Sequence, residues 1–344
     1  MENGAKDLTR RQHALLLATV QEFIATAAPV GSQQVAQRHR LGVRAAMVRN
    51  LMSELEDAGY LTQPHTSAGR VPTEKAYRYF VDHLAPTIPF RERARIELHY
   101  SAPSNDVNLM VREASRLLAL MTNQTAIATA PRLEVLMIER VQFTRLRERE
   151  VLAMFITKAN GIHNRLVVAD RDYSQAELDR MAAYLAETLV GRTLEQARVW
   201  LEERLREERA RYDQFVRGAL LLGNVMIALD AQAEVYVEGS TRALDQPEFT
   251  DRARLRELLR ALDDKTALLD LLDRSLKDTS LLVSIGSENS DARLAGFSVV
   301  AAPYASGSQP LGSVAIVGPL RMDYERVIPL VSYTAKALSR VLDH

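Results

Sequence analysis

Residues whose types and spacing could do chemistry fall into two groups in this chain, and the first group forms no constellation. Seven histidines, His13, His39, His65, His83, His99, His163 and His344, are scattered, with no His-Glu-x-x-His run and no pair at metal-ligand spacing. Gly286-Ser287-Glu288-Asn289-Ser290 matches neither a phosphate-binding loop nor a nucleophile elbow, and reads as a polar loop between strands. The carboxylate pairs Asp170/Asp172 and Asp263/Asp264 fall on predicted turns or helix surfaces, where such pairs are common. The chain has no cysteine, which excludes thiolate nucleophiles, disulfides and cysteine zinc sites. No catalytic residue, metal or other cofactor is expected, and the chain does not read as an enzyme.

The second group is concentrated between residues 32 and 70. It comprises Ser32, Gln33, Arg44, Ala45, Met47, Arg49, Asn50 and Ser53, then His65, Thr66, Ser67 and Arg70. These types match the needs of duplex DNA recognition. Arg grips guanine O6/N7 in bidentate fashion, Asn does the same for adenine, and Ala or Met can touch a thymine methyl. Small hydroxyls and cations suit phosphates or the minor groove. Arg49 could equally hold a phosphate or pair with Glu54 or Glu56, and Thr66 and Ser67 could be turn residues alone. From Arg38 to Arg78 seven bases (Arg38, Arg40, Arg44, Arg49, Arg70, Lys75, Arg78) face four acids (Glu54, Glu56, Asp57, Glu74). The whole chain has zero formal net charge, so any basic face is local.

Three helices and a hairpin are predicted to position these groups. Thr9 is a plausible N-cap for a helix to Thr26, with Leu15, Leu16, Thr19, Val20, Phe23 and Ile24 on one stripe. Ser32 is the expected N-cap of a second helix, Ser32–His39, whose Val35 and Ala36 point inward. Arg40-Leu41-Gly42-Val43 forms the expected turn, with Gly42 free to take positive φ. The third helix runs from about Arg44 to Ala58, buries Val48, Leu51, Met52 and Leu55, and ends at Gly59. Tyr60–Gln63 and Arg70–Pro72 form the hairpin around the loop 64–69. A helix then starts near Thr73, carrying Tyr77, Phe80, Val81 and Leu84. This order is that of a winged helix, whose recognition helix enters the major groove.

The run His65-Thr66-Ser67-Ala68-Gly69-Arg70-Val71-Pro72-Thr73-Glu74-Lys75-Ala76-Tyr77-Arg78-Tyr79-Phe80-Val81-Asp82 resembles the signature wing of the HrcA family of heat-inducible transcription repressors. Leu8-Thr9-Arg10-Arg11-Gln12 and Pro29-Val30-Gly31-Ser32 resemble that family's opening, and Gly318-Pro319-Leu320-Arg321-Met322-Asp323-Tyr324 its closing motif. Arg49 and Asn50 match the family's recognition-helix motif, whereas Arg44, Met47 and Leu51 depart from its usual hydroxyl, threonine and acidic residues. Arg44 cannot cap the helix as Ser would, and a phosphate could satisfy the N–H groups left over. The resemblance implies repression of chaperone genes through an inverted-repeat operator on double-stranded DNA. It also implies a GAF-like domain interrupted by an inserted dimerising domain, and a GroEL-type chaperonin that keeps the repressor active.

Length supports several domains: 344 residues, 47% hydrophobic and 26% charged, are typical of globular proteins. The fold expected is α+β and multidomain. Residues 1–84 form the winged-helix DNA-binding domain and 85–90 a semi-rigid linker, Ala85-Pro86-Thr87-Ile88-Pro89 at its heart. Residues 91–170 form the first part of the GAF-like domain, with a helix Asp106–Met121 (apolar Leu109, Ala114, Leu117, Leu118, Met121). Its strands are Thr125–Thr129, Val135–Phe143, Val151–Thr157 and Ile162–Val168. Residues 171–230 form the mainly helical insertion, Ser174–Leu189 opening with a Ser174/Glu177 capping box and Thr193–Leu222 following. Residues 231–344 complete the GAF-like domain, with helix at Asp251–Asp273, strands Leu281–Ile285, Gly296–Ala302 and Gly312–Val317, and a last helix Asp323–Leu342. The several apolar faces of the helical block make a homodimer the expectation. The longest apolar stretch, Gly218–Leu229, is too short for a bilayer, and no signal peptide is read, so a cytoplasmic protein without membrane contact is expected. The alternative kept open is a winged-helix regulator controlled by a small effector in the GAF-like domain. From another class, an enzyme or a chaperone-interaction protein would use its winged helix on protein and show little salt-dependent DNA affinity.

Overall fold

The computed structural model describes residues 8–39, 44–65, 68–101, 106–132, 135–157, 161–208, 214–227, 234–247, 252–278, 280–289, 291–307 and 309–343. The turn expected at 40–43, with Gly42, and the loop residues Thr66 and Ser67 lie outside the described residues.

Helix α1, Arg10–Thr26, begins at Thr9 with the reciprocal bonds of a capping box: Gln12 N–H donates to Thr9 Oγ1, and Thr9 N–H to Gln12 Oε1. Helix α2 spans Ser32–Arg38, with Gly31 at the N-cap position. Ser32 is therefore the first helical residue and not the cap, which corrects the expectation. Helix α3, Ala45–Asp57, ends before Gly59 at φ +78°, where the chain turns into β1, Leu61–Thr62. Strand β2, Val71–Pro72, pairs antiparallel with β1 and leads into α4, Glu74–Asp82. Leu15, Leu16, Val20, Val35, Val48, Met52, Leu55, Leu61 and Phe80 close the core of this N-terminal unit.

Residues 84–89 lead to α5, Phe90–His99, a helix the sequence reading left out, and then α6, Val107–Thr122, capped by Asp106. Leu109, expected inward on α6, is 47% exposed; Val107, Met110, Val111, Ala114, Leu117, Leu118 and Met121 make the buried stripe. Strand β3, Thr125–Thr129, is followed by β4 (Ile138–Arg147), β5 (Glu150–Thr157) and β6 (Ile162–Val168). Helices α7 (Gln175–Leu189), α8 (Leu194–Glu208) and α9 (Gln214–Ile227) come next, so the stretch read as one helix from Thr193 to Leu222 holds two. Then come β7 (Val235–Glu238), also left out by the sequence reading, α10 (Arg252–Asp263), α11 (Lys265–Asp278) and β8 (Leu282–Ile285). The chain closes with β9 (Phe297–Ser306), β10 (Gln309–Pro319) and α12 (Tyr324–Leu342).

Five strands form one antiparallel sheet in the order β7-β3-β10-β9-β8. Strand alternation divides its side chains cleanly between two faces. Ile127, Val299, Ala301, Ala315 and Val317 meet Leu258, Leu262, Leu268 and Leu272 of α10 and α11. Ala126, Ala128, Val300, Ala302, Val314 and Ile316 join the cluster that contains α6 and α12. Helices on both faces explain why these strands read as nearly continuous apolar runs.

Between β3 and β7 the chain leaves this sheet. Strands β4-β5-β6 form a separate antiparallel sheet with no ladder to the five strands among the described residues. Its inner face, Val141, Phe143, Val151, Ala153 and Phe155, is buried, and α7 packs on β4 while α9 contacts β5 and β6. The expected division at 170/171 thus separates these strands from the helices they pack on; alternation revealed their buried face but not their partners. No helix among the described residues is long and apolar enough to cross a membrane.

Candidate nucleic-acid interface

Helix α3 turns Val48, Met52 and Leu55 into the core at helical spacing, which drives the opposite face outward. Arg44, Met47, Arg49, Asn50 and Ser53 are exposed, and Ala45 is half-buried. Arg44 occupies the N-cap in extended conformation, and its carbonyl accepts from Met47 N–H and Val48 N–H. Its side chain caps nothing, so among the described residues the N–H groups of Ala45 and Ala46 have no partner and remain open to a ligand. Arg44, Arg49 and Asn50 make no side-chain hydrogen bond or ion pair among the described residues. Their donors are available for an external partner.

The hairpin is drawn against the start of α2. Val30 N–H donates to Arg70 O at 2.8 Å, and Arg70 N–H donates to Val30 O at 2.9 Å. A Cβ on Gly69 would lie 2.5 Å from the Val30 carbonyl, so only glycine allows this approach. The result is a concavity of about 510 Å³ whose wall includes Ser32, Arg49, Gln63, Gly69 and Arg70. Three expected site residues, Ser32, Arg49 and Arg70, are thereby brought together. Gln33 is exposed at the start of α2, and His65 is exposed at the hairpin end.

Arg70 departs from the free cation expected on the hairpin. Its guanidinium folds back to Glu56 of α3 at 2.8 Å, and the side chain is 17% exposed. Other members of the basic set are also engaged. Lys75 donates to Ala58 O and lies over the Tyr60 ring, and Arg78 pairs with Glu288. Arg38 pairs with Glu22, a carboxylate 5% exposed on the inner side of α1. Gln34 also donates to Glu22, at 2.5 Å, and His39 lies 3.4 Å away, so one buried acid ties α2 to α1. Sequence reasoning missed Glu22. The available signal was an acid three, four and seven residues after Thr19, Ala18 and Leu15, on the buried stripe.

Three of the four carboxylates in the two pairs, Asp170, Asp172 and Asp264, have structural partners. Asp172 is held below the usual carboxylate range by Arg145, which donates through Nε and Nη2. Asp264 is lowered by the N–H of Ala267, which it caps, and by Arg293. Asp170 accepts from the Tyr173 hydroxyl.

A family model described as the HrcA protein C-terminal domain matches residues 108–328. The heat-inducible transcription repressor HrcA of Geobacter sulfurreducens is 40% identical over 339 residues, covering 98% of this chain and 99% of the relative. The repressor of the same name from Syntrophobacter fumaroxidans is 36% identical over 341 residues, covering 98% of each chain. Among solved structures, the crystal structure of a hypothetical protein has the same fold, with a TM-score of 0.64 and 24% identity over 98% of this chain and 99% of its own.

Proposed function

The chain belongs to the HrcA family of heat-inducible transcription repressors, and from that premise we propose that it represses chaperone genes by binding an inverted repeat as a homodimer. The N-terminal unit acts as a winged helix. Its α3 enters the major groove, Arg49 and Asn50 face base edges or phosphates, and Arg44 with the open first turn of α3 takes a phosphate. Ser32, Gln33 and His65, together with Thr66 and Ser67, hold the backbone on either side. The observation that carries this reading is the exposed set Arg44, Arg49 and Asn50, unpaired among the described residues on a helix whose other face is sealed. Arg70 contributes only after leaving Glu56.

Dimerisation is supported by the outer face of the β4-β5-β6 sheet. Ile162, Leu166 and Val168 on β6 are 65%, 55% and 72% exposed; Ile162 stands beside Ile156 and Leu166 beside Leu152 of β5, while Val168 stands beside Glu150. A row of exposed apolar side chains on one sheet face is a surface a second copy can cover. The five-stranded unit serves as the GAF-like domain between the dimerising and DNA-binding units. Regulation by a GroEL-type chaperonin follows the family. Titrating purified protein onto chaperone-promoter DNA at rising salt, with and without chaperonin, tests both parts. Affinity that falls steeply with salt and strengthens with chaperonin is expected. Affinity indifferent to chaperonin overturns the regulatory part, and salt-independent affinity overturns the phosphate contacts.

A further inference from the structure

Motifs from distant parts of the chain meet where α4 docks against the five-stranded unit. Arg78 of α4 grips Glu288 with two parallel bonds, Nε to Oε1 and Nη2 to Oε2, both 2.9 Å. Its Nη2 also donates to Val283 O at 2.7 Å, on the outer strand β8, and Nη1 to Asp82 at 3.2 Å. Glu74, at the start of the same helix, accepts from the N–H and the hydroxyl of Ser287, at 3.0 and 2.6 Å. Gly286 approaches so closely that a Cβ there would fall 2.2 Å from the Glu74 carboxyl. Tyr77 and Tyr324 are both buried, with ring centroids 6.1 Å apart. Arg321 donates to Ile24 O at 2.9 Å, and Gln21 to Glu325 at 2.7 Å. The run Gly286-Ser287-Glu288 reads from sequence as a polar loop alone; it is a receptor for α4.

Resting on the repressor reading above, we infer that this latch fixes the orientation of the DNA-binding unit and so determines the half-site spacing the dimer accepts. Helix α4 follows β2 directly and packs on α1, so holding α4 holds α3. The chain link between the two units is short, residues 83–89. A unit held by that link alone could swivel and accept several spacings. A bidentate Arg–carboxylate pair combined with backbone contacts removes that freedom, because its geometry is planar and directional. The isolated ion pair would add little stability at this exposure. Its consequence is orientation, which enters binding as preorganisation of two linked sites. Changing the spacer by two base pairs turns one half-site by about 70° and moves it by about 7 Å.

The test compares the inverted repeat from chaperone-promoter DNA with versions whose spacer is two base pairs longer or shorter, and with a single half-site. Wild-type protein is expected to lose about tenfold or more in affinity on the altered spacers. In Arg78→Ala and Glu288→Gln that ratio is expected to fall below about threefold, with half-site affinity unchanged. Glu288 lies outside the DNA-binding unit, so its variant carries the test should Arg78→Ala weaken half-site binding by disturbing the fold. Folded variants as strict about spacing as the wild type overturn the latch. A wild type that does not prefer the intact repeat to a scrambled one overturns the operator reading, and the latch with it.

Discussion

Arg49 projects outward because Val48, Met52 and Leu55 are committed to the core, and it meets no carboxylate among the described residues even though Glu54 and Glu56 are near in sequence. Replacing it removes the proposed contact to DNA without leaving a buried partner unpaired. Arg49→Ala is expected to lower operator affinity by about 1–3 kcal/mol and, if it reads a base, to relax discrimination at one base pair. A panel of single-base operator variants measures both, and unchanged affinity removes Arg49 from the interface. The outward set on α3 was legible in the sequence because helical periodicity separates its two faces. The pairing of Arg70, Arg38 and Lys75 within the unit was not. Their partners Glu56, Glu22 and Ala58 are set by how α1, α2, α3 and the hairpin pack, which no local pattern encodes.

Helix starts were the most readable elements, because a cap is a short-range exchange of hydrogen bonds. Thr9 is the expected N-cap of α1 and also closes a reciprocal box with Gln12, and Ser174 with Glu177 forms the box that its spacing predicts. In the second, bonds from the backbone N–H of Ser174, then from Arg171 and the Ser174 hydroxyl, hold Glu177 down to about 2, against an ordinary value of 4.5. A depressed folded value means stability that is fully present above about pH 4.5 and is lost as pH falls towards 2. The difference in urea midpoint between wild type and Glu177→Gln is therefore expected to be largest above pH 5 and to close near pH 2. A difference independent of pH would contradict the cap's charge. Elements without such signals escaped. Helix α5 buries only Ile96 and leaves Phe90 and Leu98 exposed, so it shows no apolar stripe. Strand β7 has four residues and is identified by its pairing to β3. The β4-β5-β6 sheet illustrates the same limit: alternation marked its faces, while its separation from the five strands depends on long-range pairing.

At the scale of the molecule, three units follow from these contacts: a small helical unit with a hairpin, a five-stranded sheet covered on both faces, and an excursion with an uncovered apolar sheet face. The proposed dimer places the last at the twofold axis. Leu166→Glu introduces charge into the middle of the exposed row and is expected to convert a dimer to monomer in sedimentation velocity. Operator affinity should fall by about a hundredfold, since two linked half-site contacts become one. A dimer that survives the substitution would place the interface elsewhere. The central claim is that this molecule recognises a specific inverted repeat through α3 and the hairpin. Its most direct test is the affinity of purified, folded protein for the intact chaperone-promoter repeat and for a scrambled repeat of equal composition at one salt concentration. A preference of about a thousandfold or more for the intact repeat is the predicted result. Equal affinity for the two sequences would contradict it.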